Sequence, residues 1–293
     1  MHDYRKLARQ ITIVENELSG YETLLETLVF ERPTPIIGIT GPPGAGKSTL
    51  VNALLNRWLS AGKKIAVIAV DPSSPFNFGA LLGDRIRLSA HYNNPNVFIR
   101  SLSTRGSLGG LSEKIIEISD VLRAGGFDYI LIETVGVGQS EVEIAGLADT
   151  SIVVLVPEAG DEVQAMKAGL MEIADIFVVN KADRPHADDF ALNLQKMLHE
   201  KPASNWNIPV IKAIAAKEEG IEQLAYYIEK HQMSEAANTK KPFLLAQKAL
   251  QIIQKQRMKN IDPNGLRHEI AAAMQQQDRS FNLYAYIRKR YPL

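Results

Sequence analysis

Seven short apolar runs, rich in β-branched residues, punctuate the chain: "IIGIT", "IAVIAV", "VFIRS", "YILI", "SIVVLV", "IFVVN" and "PVIKAI". None alternates apolar with polar residues, as a strand with one wet face would. Each therefore reads as a strand buried on both sides. Amphipathic helical patterns lie between several of them, and strands separated by helices build a mostly parallel sheet. The expected fold is α/β, a mostly parallel sheet flanked by helices, with helical extensions at both ends.

The N-terminal extension is expected over residues 1–32. Leu7, Ile11, Val14, Leu18, Tyr21, Leu25 and Leu28 recur at alternating spacings of four and three, which predicts a helical seam that Gly20 divides. A helix docked on its own protein is favoured there over a coiled coil with a partner, because the seam is short. "ERPTP" ends it. The sheet domain is expected over 33–231. A tail at 232–293 follows, in which "SEAANTKKP" reads as a polar connector, Phe243, Leu244, Leu250, Ile252 and Ile253 outline a helix, "DPNG" is a turn, and Ile270 to Met274 belong to a further helix.

Composition removes several function classes. Lys+Arg and Asp+Glu are both 33, so bulk charge draws the protein neither to nucleic acid nor to a membrane surface. The chain has no cysteine, hence no disulfide and no thiolate metal site. The start "MHDYRKLARQ" lacks an apolar signal core, and no apolar run reaches the roughly 18 residues of a membrane span. A cytoplasmic protein is expected.

"GPPGAGKST" directly follows the first strand and opens a helix, fitting G-x-x-x-x-G-K-S/T at Gly41, Gly46, Lys47 and Ser48. Gly41, Gly44 and Gly46 let backbone N–H groups turn inward around phosphate oxygens, and the helix N-terminus adds partial positive charge. Lys47 is expected at the β- and γ-phosphates and the Ser48 hydroxyl at Mg²⁺. Ala45 and Thr49, in the same string, are counted as nucleotide contacts.

The base is read from "VVNKAD". Guanine presents two donors on one edge, and the Asp183 carboxylate accepts from both, which adenine cannot match. Asn180 is expected on the other side of the base and the Lys181 stem over its face. A strand-end Asn with a helix-capping Asp would be the structural alternative. The amides of Ala215 and Ala216, in "AIAAKEEGIEQL", add weaker support. The cofactor set is therefore GTP/GDP with Mg²⁺.

"IETVGVGQSE" explains why a strand ends in an acid before a glycine-rich stretch. Glu133 is placed in the Mg²⁺ shell and Gly136 at the γ-phosphate. Val137 stands where small GTPases carry a water-orienting glutamine, with Gln139 two residues later, so hydrolysis is expected to be slow until a partner rearranges the site. Asp71, ending "IAVIAV", and Asp84, in "LLGDRIRL", are further candidates for the metal shell, with a strand-end turn cap as the other reading of Asp71. Arg85 and Arg87 are either surface residues or a source of transition-state charge.

These strings, together with "VDPSSP", "STRGSLGGL" and "VPEAGDEVQAMKAG", resemble the methylmalonyl-CoA mutase-associated GTPases, the MeaB/ArgK group of the metallochaperone-type P-loop class, from about Glu31 to His231. The resemblance implies a homodimeric GTPase chaperone of an adenosylcobalamin-dependent acyl-CoA mutase, such as methylmalonyl-CoA or isobutyryl-CoA mutase. Such a protein gates cofactor loading and protects the mutase. By the same resemblance, Asp71, Asp84 and Glu133 surround the metal, Arg87 acts on the phosphate beside Lys47 and Glu133, and 157–167 senses the mutase. The C-terminal helices would build the dimer. The chain departs from the group at Asn77, Phe78, Gly79 and Ser107. A nickel- or cobalt-inserting GTPase is the nearest alternative, but the histidines are scattered: His2, His91, His186, His199, His231 and His268. A P-loop kinase or transport ATPase is a third reading, and it would not need "NKAD".

Overall fold

The structure is a computed structural model that describes residues 4–71, 88–103, 114–134, 144–159, 169–200, 205–277 and 281–291, with backbone alone at a few positions, Asp71 among them. In chain order the elements are α1 (Tyr4–Glu15), α2 (Tyr21–Glu26), β1 (Ile36–Thr40), α3 (Lys47–Ser60), β2 (Ile65–Asp71), β3 (Val97–Ser103), α4 (Ile115–Ala124), β4 (Tyr129–Glu133), β5 (Thr150–Leu155), α5 (Gly169–Ile173), β6 (Ile176–Asn180), α6 (Ala187–His199), β7 (Val210–Ala213), α7 (Ile221–Gln232), α8 (Glu235–Met258), α9 (Pro263–Gln277) and α10 (Leu283–Arg290).

All seven predicted strands are present and form one sheet in the order β3-β2-β4-β1-β5-β6-β7. Every pairing is parallel. Both faces are covered, which is why the strand sequences show no alternation. Ile37 and Ile39 of β1 point into a core shared with Leu50, Leu54 and Trp58 of α3 and Leu224 and Ile228 of α7. Ile36 lies in the opposite core with Leu7, Ile11 and Val14 of α1 and Ile118 and Leu122 of α4. A third cluster joins Val153 and Phe177 to Leu194 of α6. Trp58 stacks on Tyr129 with ring centroids 4.4 Å apart.

β1 is central, and the chain leaves it first toward β2 and later, through β5, toward the other edge. In open parallel sheets a ligand crevice forms where the order reverses, beyond the carboxyl ends of the strands. The loop after β1 occupies that point, flanked by β4 and β5. Gly38 allows close packing behind it, since a Cβ there would lie 2.4 Å from Ile144 Cγ1 and 3.0 Å from Ala148 Cβ.

The extensions differ in detail from expectation. The N-terminal seam splits before Gly20: α1 ends at Glu15, Gly20 adopts φ 86° ahead of α2, and Leu18 is exposed. The "SEAANTKKP" stretch is not a connector; α8 begins at Glu235 and runs through Pro242. Its alanines and lysines are good helix formers, and polar composition alone does not forbid a helix. "DPNG" is no free turn but the start of α9, because the Asp262 carboxylate accepts from the amides of Asn264 and Gly265, at 3.0 and 2.9 Å, with Pro263 following in the first helical position. The short helix α10 was not anticipated. Asn282 caps it by accepting from the Ala285 amide at 3.0 Å.

The chain divides into two compact units, Met1–Leu245 and Ala246–Leu293, with α8 running across the division. In the second, Glu269 accepts from the Tyr286 hydroxyl and from the Arg290 guanidinium, tying α9 to α10. No helix among the described residues is long and apolar enough to cross a membrane.

Candidate functional site

The loop between β1 and α3 takes its shape from glycines at three positions. Gly41, Gly44 and Gly46 have φ of 136°, 77° and 89°, a backbone region that L side chains rarely adopt. At two of them space is also closed: a Cβ on Gly41 would meet the Val154 carbonyl oxygen at 2.1 Å, and one on Gly46 would meet Asn180 Nδ2 at 2.3 Å. The loop is thus wedged between the end of β5 and the end of β6.

Buried side chains line its floor. The Lys47 ammonium donates to the carbonyls of Gly41 and Pro42, at 2.8 and 3.1 Å, which holds it across the loop. The Ser48 hydroxyl donates to Glu133 Oε1 at 2.6 Å. Both residues are only 5% exposed. Beside them the Thr134 hydroxyl donates to Thr40 Oγ1 at 2.9 Å, and the Thr134 amide donates to the Ile39 carbonyl at 3.0 Å. The chain leaving β4 is thereby tied to the root of the phosphate-type loop. A hydroxyl and a carboxylate in contact form an oxygen-only donor pair, which suits a hard cation such as Mg²⁺.

The "NKAD" segment sits on the other flank. Asn180 is 2% exposed. Its Nδ2 donates to the Ala45 carbonyl at 2.8 Å, and its Oδ1 accepts from the Ala215 amide at 3.1 Å. One side chain therefore links the phosphate-type loop to the loop after β7, with one N–H and one lone pair left over. Lys181, at φ 56°, donates from Nζ to the Gly44 carbonyl at 2.7 Å. Asp183 is exposed, and its carboxylate has no hydrogen-bond partner among the described residues. Ala215 is buried with its amide engaged by Asn180, whereas Ala216 is exposed, as is Thr49.

The backbone of Asp71 ends β2 beside Ser103, and Ala69, two residues earlier, pairs with Glu133. Asp71 therefore stands at the same edge of the sheet as Glu133. Its side chain, together with Asp84, Arg85, Arg87, Gly136, Val137, Gln139, the departures at 77–79 and 107, and residues 160–167, lies outside what the structure describes.

Sequence reasoning missed two features. Asn56 and Arg57 of α3 bind Glu218 and Glu222, fastening the helix behind the phosphate-type loop to the 215–222 region. Arg184, directly after Asp183, pairs with Glu158 beyond β5. Neither pair carries a local signal, since their partners are brought together only by the sheet order.

A family model described as methylmalonyl Co-A mutase-associated GTPase MeaB matches residues 7–266. The chain is 49% identical over 236 residues to a Pyrococcus horikoshii protein named provisionally as a GTPase, covering 78% of this chain and 74% of that one. It is 38% identical over 205 residues to the fused isobutyryl-CoA mutase of Geobacillus kaustophilus, covering 66% of this chain and 19% of that one. The solved structure of an LAO/AO transport system kinase superposes with a TM-score of 0.70 at 26% identity, covering 98% of this chain and 92% of that chain. With the loop, floor and flank of a P-loop nucleotide site in place, this chain belongs to the methylmalonyl-CoA mutase-associated GTPase family, MeaB.

Proposed function

We propose that this MeaB-family GTPase is a GTP-hydrolysing chaperone of an adenosylcobalamin-dependent acyl-CoA mutase, gating the loading of the mutase's cofactor and protecting the enzyme. One observation carries the reading: a segment similar to this chain is built into a protein named a fused isobutyryl-CoA mutase. The family description points the same way.

In this reading the amides of 41–49 wrap the phosphates of GTP, and Lys47 leaves its carbonyl partners to meet the β- and γ-phosphates. Ser48 and Glu133, with Asp71 and Asp84 beyond them, would hold Mg²⁺, which neutralises charge on the phosphate oxygens when bound. Gly136 meets the γ-phosphate and Arg87 adds positive charge. Asp183 accepts from guanine, Lys181 covers the base, and Asn180, which holds the Ala215 amide, completes the pocket with the amide of Ala216. Val137 leaves water unoriented, so turnover is slow alone and rises when the mutase acts through 157–167.

The proposed assembly is a homodimer. Leu250, Ile253, Met258, Leu283 and Tyr284 of the C-terminal helices are exposed, an apolar surface that a second copy would cover.

The test is GTP hydrolysis with Mg²⁺ by the purified protein, alone and with the acyl-CoA mutase of its own organism. The reading expects severalfold acceleration. Tight GTP binding with neither acceleration nor mutase binding would overturn it.

A further inference from the structure

The loop that carries Asp183 is held from three sides. Beneath it, Lys181 Nζ reaches the Gly44 carbonyl at 2.7 Å. Behind it, the Ala182 amide donates to the Ala213 carbonyl at 3.0 Å. On the third side, Arg184 Nη1 donates to Glu158 Oε1 at 2.5 Å, and these residues stand on the exits of two neighbouring strands, β6 and β5. Glu158 lies in a 3₁₀ turn, Pro157–Ala159, two residues past the end of β5. The other end of that exit is rigid, because Val154 packs against Gly41 so closely that no side chain fits between them.

Glu158 grips the residue that follows the acid. Its carboxyl is held below the ordinary range, first by the hydrogen bond from Arg184 and further by charge attraction to Arg184 and Lys181. Its contact with Arg184 holds the chain directly after Asp183. Asp183 itself is exposed, and its carboxylate has no hydrogen-bond or ion-pair partner among the described residues. A carboxylate that must accept from two guanine donors at once needs a fixed orientation, and here the orientation comes from neighbours.

We infer that Glu158 and Arg184 are positioning residues for base recognition, an ionic latch that aims Asp183 at the two donors of guanine. The inference rests on the reading of Asp183 as the base contact. Arg184 and Glu158 are 45% and 52% exposed, so the latch is weak and salt-sensitive, and it adds a small increment of affinity for GDP that IDP does not share.

The experiment compares GDP with IDP, which lacks the exocyclic amino group and so offers Asp183 one donor instead of two. Dissociation constants for both are measured by calorimetry on the full chain for wild type, Glu158→Ala, Arg184→Ala and the charge exchange Glu158→Arg/Arg184→Glu. The latch predicts that wild type prefers GDP and that either single variant lowers the preference about two- to fivefold, through weaker GDP binding with IDP binding nearly unchanged. The exchange should restore it, and added salt should erode it in wild type. A preference unchanged in both single variants, or GDP and IDP weakened equally, would overturn the inference. Equal binding of GDP and IDP by wild type would remove Asp183 from base reading, and the latch with it. Preserved circular dichroism would show that the variants fold.

Discussion

Ser48 donates a 2.6 Å hydrogen bond to Glu133, although 85 residues separate them in the chain. Both side chains are buried. Glu133→Ala removes the charged acceptor of this buried hydrogen bond, with an expected cost of about 1–3 kcal/mol of stability. Glu133→Gln keeps an acceptor oxygen but removes the charge. We expect it to fold with stability within about 1 kcal/mol of wild type while losing most Mg²⁺-dependent GTP hydrolysis. Urea unfolding and single-turnover hydrolysis across a Mg²⁺ titration separate the two effects.

Asn180 joins two loops with one amide, so its removal acts on structure and ligand together. Asn180→Ala strands the Ala45 carbonyl and the Ala215 amide, and the expected loss is about 2–3 kcal/mol. GDP affinity should fall about tenfold or more, because both loops loosen. Denaturant midpoints and calorimetric GDP binding check this.

Two glycines can be told apart by what a methyl group would strike. Gly38→Ala drives Cβ into Ile144 on a buried face and should cost about 1–3 kcal/mol, with GDP affinity far less changed. Gly46→Ala combines φ 89° with a contact to Asn180 Nδ2, and nucleotide binding should be lost before stability is. Thermal denaturation with and without GDP orders the two.

Burial holds the His91 pKa below its ordinary value, and its Nε2 pairs with Asn52 Oδ1 at 2.9 Å. The unfolded chain therefore binds the proton more readily than the folded one. The contribution of His91 is present above its unfolded pKa and is lost as pH falls below about 6.5 through the lower folded value. His91→Gln should flatten part of the stability loss between about pH 7 and 5. Urea unfolding of both proteins across that window is the measurement.

Much of this was legible along the chain because its signals are local. A strand buried on both faces must be an unbroken apolar run, and each such run became a strand of the sheet. A loop that turns its amides inward needs glycine where φ is positive, so Gly41, Gly44 and Gly46 announced their conformation. The helical ends were harder to read: Pro242 and the polar stretch before it suggested a break that the helix overrides, and "DPNG" resembles a turn until Asp262 is seen capping α9.

What residue order by itself determined, then, was the set of elements and the residue types at their ends: seven buried strands, a phosphate-type loop and the "NKAD" string. Tertiary structure decided which of those ends meet. Parallel pairing of β1 with β4 sets Ser48 against Glu133, and pairing of β5 with β6 sets Glu158 against Arg184. Hydrogen bonds between side chains act over about 3 Å, a range that sequence distance does not encode. The sheet order converts one distance into the other.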